Sequence, residues 1–300
     1  MDNKRNEYLK FVEGELDLIS GIDATFKDDV LTKDGTLHPN LADKAQLLRS
    51  PYLNTEYLGF LTQGNKNAAL QKKEVRQAIN YGFDKQKMMT YLRNGIGIPA
   101  TGGFIPMGLP GFNSEIGFTF QPEKAKSLVA EFKTKTGISN PEITITTTSN
   151  YLSFCEYIQR ELEKIGITVN VDVIPAATLK DAKANGKLDM FRASWIADYP
   201  DAENYLSLYF SGNFAPNGPN YTHFTNNQFD KWYQEAFNIT DTKLRERIYS
   251  KMDSLVMANT PIVPLFYDEV VRFTRKDVSG LGINPINLLD LKQVKKSKKE

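Results

Sequence analysis

The stretch EITITTTSNYLSFCEYIQRELEKIGITVNVDV, Glu142 to Val173, decides the fold class. EITITTT alternates apolar and polar residues as a strand does. Phe154, Ile158, Leu162 and Ile165 then recur at helical spacing until Gly166 stops them, and Ile167, Val169, Val171 and Val173 alternate again. A strand, a helix of about three turns and a second strand make a βαβ crossover, right-handed with parallel strands. A second crossover, helix 177–184 and strand 188–194, delivers the chain to MFRASWIADYPDAEN, Met190 to Asn204. Repeated βαβ units predict an α/β lobe.

The strand into Trp195 ends abruptly where acids and turn residues arrive together. Ligands of open α/β sheets sit beyond the carboxyl ends of strands, where Trp195, Asp198 and Tyr199 would stand. A carboxylate beside an aromatic wall suits a cationic or amine-bearing ligand. Period-two geometry places Arg192, Ser194, Ile196 and Asp198 on one side, a cation and an anion for a zwitterion. The structural alternatives are a turn acid at Asp198 and a salt bridge from Arg192 to Asp198 or a neighbour. Asn150 and Tyr151, in the loop that ends strand 142–148, should border the same cleft. Asn220, Tyr221 and Tyr267 are weaker members of the set, because such residues serve equally as turn and core residues.

Charged residues make up 24% of the 300 and hydrophobic residues 41%, as in a globular protein with chain enough for a sizeable core. Five lysines and one glutamate fall between Lys292 and Glu300, so the +1 net charge leaves a body of about −3, with no basic face for nucleic acid. That tail reads as a solvated terminus. With one cysteine, Cys155, and two histidines, His38 and His223, neither an internal disulfide nor a soft-ligand metal cluster is expected. Cys155 reads as a buried, inert thiol. Residues 94–111 hold six glycines and three prolines but fit no phosphate-loop spacing, and read as an ordered loop over the surface. Asp198, Asp201 and Glu203 lack the pattern of a calcium loop. No G-x-S-x-G or H-E-x-x-H motif points to an enzyme, and no cofactor is expected.

Further expectations complete the chain. LADKAQLL reads as a helix before an extended Tyr52–Leu61. Asp84 is a helix N-cap, and Ala125, Leu128, Val129 and Phe132 line a helix that ends near Gly137. Phe229, Trp232, Tyr233, Ala236 and Phe237 mark the inner face of one helix, and Leu244, Ile248, Met252 and Leu255 that of the next. Pro261 and Pro264 demote PIVPLFY to an edge or hinge strand.

W-x-A-D-Y-x-D, here Trp195, Ala197, Asp198, Tyr199 and Asp201, resembles the signature loop of the extracytoplasmic substrate-binding proteins of peptide and nickel ABC importers. PYLNTEYLGF, EVRQAINYGFDKQKM, GIGIPATGGFIPMGLPGF, QPEKAKSLVAEF, FTNNQFDKWYQEA and TPIVPLFYDE resemble that family in the same order. The resemblance implies periplasmic-binding-protein type II lobes, a mixed sheet flanked by helices. It implies residues 1–58 in a first lobe, 59–268 as a ligand-facing second lobe, and 269–300 returning to the first. It also implies a chain matching only the family's C-terminal part, truncated at the N-terminus and weak in binding.

By the same resemblance the function is capture of a peptide and delivery to a permease driven by a separate ATPase, by a monomer in the periplasm or on a lipid anchor. Asp198 would hold the ligand's ammonium and Arg192 its carboxylate, with Ser194 and Ile196 offering backbone groups. Dipeptide binders carry an arginine in the loop after the 142–148 strand. No basic residue stands between Glu142 and Gln159 here, which favours oligopeptides. The alternatives are another solute (a nickel chelate, haem or a sugar), a hydrolase, or a ligand-sensing domain.

Overall fold

The structure, a computed structural model, describes residues 4–22, 24–64 and 66–297. Along the chain run α1 (Lys4–Glu13), β1 (Leu18–Ser20), α2 (Lys27–Val30), α3 (Pro39–Ala42), β2 (Ala45–Phe60), α4 (Lys73–Tyr81), α5 (Lys85–Arg93), β3 (Ile98–Pro99) and α6 (Pro122–Thr136). Then follow β4 (Glu142–Thr147), α7 (Leu152–Glu163), β5 (Thr168–Val173), α8 (Ala176–Ala184), β6 (Met190–Ile196), α9 (Glu203–Leu206), α10 (Asn227–Ala236), α11 (Thr242–Asn259), β7 (Ile262–Arg275), β8 (Val278–Ser279) and β9 (Lys295–Lys296). The chain divides into two units. One comprises residues 1–54, 86–99 and 267–300, and the other residues 55–85 and 100–266. Residues 86–99, placed in the 59–268 lobe by sequence, cluster with the smaller unit. There Asn94 Nδ2 donates to the carbonyls of Leu31 (2.9 Å) and Lys27 (3.1 Å).

The larger unit contains the expected crossovers. β4 and β5 are parallel from Glu142↔Thr168 to Thr147↔Val173, and β6 joins the other side of β4 in parallel at Thr146↔Phe191. The order β2–β6–β4–β5 leaves β5 at the edge, and β6 between β4 and β2. α6 opens on Pro122 and closes on Gly137, whose φ of 74° is the left-handed cap that favours glycine. α7 buries Phe154, Cys155, Ile158 and Leu162. β2 approaches β6 at Gly59, where a Cβ would come 2.6 Å from the Phe191 ring.

Five expectations are corrected. AQLL is not helical: α3 ends at Ala42 and β2 starts at Ala45, because pairing in the sheet overrides local helix propensity. The 94–111 segment does not simply lie over the surface. Phe104 and Ile105 are wholly buried, and the Phe104 ring meets Tyr57, Tyr205 and Tyr209 edge-on at 5.1, 5.7 and 5.2 Å. The inner face of α11 is Tyr249, Met252, Asp253, Val256 and Met257, one position round from the expected stripe, and Leu244 is exposed. Trp232 in α10 is half-buried, and Phe237, the residue after its end, is exposed. β7 is no edge, since it has β1 and β2 beside it.

The smaller unit packs Tyr8, Phe11, Ile19, Val30, Leu31 and Phe273 into its own core. β1 runs antiparallel to β7, with Leu18 opposite Thr274. Glu269 receives Arg49 Nη2 at 2.5 Å and the Gly97 N–H at 2.7 Å. The described lysines of the tail, Lys292, Lys295 and Lys296, are exposed. β9 pairs antiparallel with β8, and Lys296 Nζ reaches Asp17 at 2.7 Å. Lys298, Lys299 and Glu300 lie outside the described residues.

Candidate functional site

β6 carries the candidate site in the larger unit, and it runs two residues further than its sequence suggests, so Trp195 lies within the strand. Its alternation is that of a strand with one covered face. Phe191 and Ala193 are buried, while Arg192 and Ser194 are half-buried and Ile196 is exposed.

Beyond the strand, Asn204 organises the signature loop. Its buried Oδ1 accepts the Trp195 indole N–H at 2.8 Å and the Asp198 backbone N–H at 3.2 Å. Its Nδ2 donates to Asp198 Oδ2 at 3.4 Å, and Asp198 Oδ1 has no partner among the described residues. The Asp198 side chain is exposed, neither folded into the interior nor locked to its own backbone. Tyr199 is also exposed, and its hydroxyl donates to Glu203, which the Tyr233 hydroxyl reaches as well. Asp201 accepts the Glu203 N–H at 2.9 Å and lies 3.5 Å from Arg245. Asp201 and Glu203 are therefore committed to separate partners, while Asp198 keeps one oxygen without a partner among the described residues.

Arg192 has a different partner from the one a zwitterion site requires. Its Nη2 donates to Glu56 of β2, with side-chain exposures of only 12% and 3%, and its guanidinium lies 3.1 Å from the Tyr151 ring centroid. Tyr151 in turn donates its hydroxyl to Glu56 Oε1 at 3.3 Å. Arg192 is thus the cation of a covered ion pair with a neighbour, the structural alternative weighed for it beside a ligand role. Asn150 is exposed at the start of this helical turn.

Two further candidates lie in the interior. Asn220 is fully buried. Its Nδ2 donates to the Phe210 and Phe224 carbonyls, and its Oδ1 accepts from Thr222 and the Phe224 N–H, so it builds its own loop. Tyr267 is buried in the smaller unit. Sequence reasoning missed Glu56 and Asn204. An acid within the β-forming run PYLNTEYLGF was a signal, because a charge buried in a strand needs a partner.

Elsewhere in the unit, Asp253 on α11 accepts the N–H groups of Phe104 (2.8 Å) and Ile105 (3.2 Å), and burial pushes its carboxyl up to about 7. Lys85 Nζ donates to the Ala100 carbonyl at 2.7 Å, and burial pushes its ammonium down to about 7. Both groups pin the glycine-rich segment. Cys155 is buried as expected, with its thiol pushed up to about 11 by burial. Among the described residues no cluster of His, Cys, Asp or Glu could hold a metal.

Comparison with known proteins places this geometry. The chain is 29% identical over 247 residues to heme-binding protein A of Haemophilus influenzae, covering 78% of this chain and 44% of that protein. To the dipeptide-binding protein of Escherichia coli it is 26% identical over 260 residues, 83% of this chain and 48% of that one. The chain therefore spans about half the length of these relatives. Among solved structures, the ABC transporter substrate-binding protein CtaP of Listeria monocytogenes superposes with a TM-score of 0.82 at 23% identity, over 99% of this chain and 59% of that one. HbpA2 of Haemophilus parasuis gives 0.80 at 24%, over 99% and 57%. The fold is thus that of type II periplasmic binding proteins. Residues 2–217 match the family model of the bacterial extracellular solute-binding proteins, family 5 middle region, and the chain belongs to that family.

Proposed function

We propose that the chain is a ligand-capturing part of an ABC-importer substrate-binding protein, that it carries a peptide without transforming it, and that Asp198 receives the peptide's ammonium group. The observation that carries this is the exposed Asp198 carboxylate beyond β6, its loop held by Asn204 and one of its oxygens unspent. A carboxylate of that kind donates nothing and accepts charge-assisted bonds from an ammonium at little further desolvation cost. Ser194 and Ile196 supply main-chain groups for an extended ligand, and the exposed Ile196 and Tyr199 side chains supply apolar contact. Oligopeptides suit the site better than dipeptides, since no basic residue stands between Glu142 and Gln159. The carrier works outside the cytoplasmic membrane as a monomer, handing its cargo to a permease with a separate ATPase.

Isothermal titration with a mixed oligopeptide pool, free or acetylated at the amino terminus, tests the role of Asp198. Acetylation should weaken binding about 10- to 100-fold, the worth of one charge-assisted hydrogen bond. Asp198→Asn should remove that preference. Equal binding of both pools by the unaltered protein, or co-purified haem with no peptide affinity, would refute the proposal.

A further inference from the structure

The smaller unit carries a surface that ligand capture does not use. Ile286, Leu288, Leu289 and Leu291 are between 45% and 61% exposed, and no other stretch of six among the described residues holds as many exposed large apolar side chains. A scattered exposed leucine needs no explanation, but a cluster marks a surface that meets something. The loop that bears it is firmly held. Buried Arg272 of β7 donates from Nη1 to the Gly282 carbonyl at 2.9 Å, and from Nη2 to the Leu288 carbonyl at 2.9 Å and Asn287 Oδ1 at 3.2 Å. Asn284 closes the turn: its Oδ1 accepts the Leu288 N–H at 3.0 Å and its Nδ2 donates to the Leu288 carbonyl at 2.9 Å. The backbone is thus fixed while the four side chains stay in water.

The charge beside this cluster is of one sign. Lys292 follows Leu291 directly, and the turn in which the Val294 N–H donates to the Leu291 carbonyl (3.1 Å) brings Lys295 close behind. Lys296 pairs with Asp17 where both side chains are about half exposed, and Lys292 and Lys295 have no ion pair among the described residues. The acid within the stretch, Asp290, accepts the Lys292 backbone N–H at 3.0 Å. Five lysines and one glutamate from Lys292 onward give this end +4 on a body of about −3. An anionic surface therefore attracts this end and repels the rest, which sets the orientation of approach. A second copy of the chain would cover the leucines but repel the lysines. A bilayer answers both, because aliphatic side chains entering the acyl boundary and ammonium groups at headgroup level are the two signals that together hold a peripheral protein.

We infer that the Ile286–Leu291 loop and the lysines that follow it form a docking surface for an anionic phospholipid bilayer. The leucines enter the boundary between headgroups and acyl chains, and the lysines face lipid phosphates. Asp198 belongs to the larger unit, so this docking is independent of which solute the chain captures.

The test is co-sedimentation of the whole chain with vesicles of phosphatidylcholine alone, or of phosphatidylcholine mixed with an equal part of phosphatidylglycerol. The mixed vesicles should bind it about tenfold or more tighter, and less so as salt rises. Lys292→Gln with Lys295→Gln should lower that affinity roughly thirtyfold, about fivefold for each ammonium. Leu288→Ser with Leu289→Ser should lower it about tenfold while leaving the urea midpoint unchanged, since neither side chain is buried. Equal binding to both kinds of vesicle, or to neither, overturns the inference. A leucine variant that binds as well as the unaltered protein overturns it too, because only diffuse attraction of the lysines is then left. So does light scattering that shows a dimer dissolved by the leucine substitutions, which would seat the leucines on a second copy.

Discussion

Glu56→Gln keeps the shape of the side chain and removes the charge that Arg192 faces. Both side chains are nearly covered, at 12% and 3% exposure, so water cannot replace the lost partner. The Tyr151 ring, 3.1 Å from the guanidinium, offers only a quadrupole in exchange. Leaving one member of a buried pair uncompensated costs about 3–5 kcal/mol, a large part of the ~5–15 kcal/mol that holds a typical domain together. The double variant Glu56→Gln with Arg192→Met removes both charges and should recover most of that loss, giving a coupling energy of roughly 2 kcal/mol or more. Urea unfolding followed by tryptophan fluorescence reads this in the right place, because the only two tryptophans, Trp195 and Trp232, belong to the larger unit. The midpoint should fall at an unchanged slope in the single variant and rise again in the double. A loss below about 1 kcal/mol, or a double variant no more stable than the single, would mean that the pair is solvated and that Arg192 remains available to a ligand.

Asp253 titrates in the folded state near 7, against about 4 when unfolded, so the folded state holds the extra proton. Its contribution is complete below about pH 4 and is lost as pH rises toward 7; Asp253→Asn should flatten that part of the stability profile, read as urea midpoints across the window. Lys85 has the opposite sign: with its folded value pushed down to about 7, stability should climb between about pH 7 and 10, and Lys85→Met should abolish the climb. Asn204→Ala removes the acceptor shared by the Trp195 indole and the Asp198 N–H; about 1–2 kcal/mol should be lost and the tryptophan emission should move to the red.

The crossovers were legible because each of their elements satisfies a local rule. The register of β4 with β5 follows from the alternation of EITITTT and ITVNVDV, and the boundaries of α6 follow from Pro122 and Gly137. Errors arose where a partner distant in sequence decides the outcome. LADKAQLL has helix-forming residues, but those from Ala45 onward are captured by the sheet. The α11 stripe was misplaced because its buried face includes a charged residue. Asp253 belongs inside only because Phe104 and Ile105, about 150 residues earlier, turn their N–H groups toward it. Gly103 makes that approach feasible, since a Cβ there would run into the Asp253 carboxylate. Read alone, the six glycines of 94–111 suggest an ordered loop over the surface; read with α11, they permit a tight approach of backbone to a buried acid.

The site divides along the same line. Alternation along β6 put Arg192, Ser194 and Ile196 on one face, but the turn chemistry ended the strand at residue 194, two residues short of its end at Ile196. Alternation says which way a side chain points and nothing about what already occupies the space. Glu56 arrives from β2, 136 positions away, and converts the expected ligand cation into a covered ion pair. Such a conversion has a consequence for charge: a zwitterion site whose arginine is spent must find its second cation nearby or lose half its selectivity. Lys183 stands near Arg192 with no ion pair of its own among the described residues, so one positive charge there is not balanced by Glu56. Glu56 therefore acts on recognition as well as stability. Its removal would free Arg192, add a second uncompensated cation beside Lys183, and strengthen the pull on a carboxylate even as the unit becomes less stable.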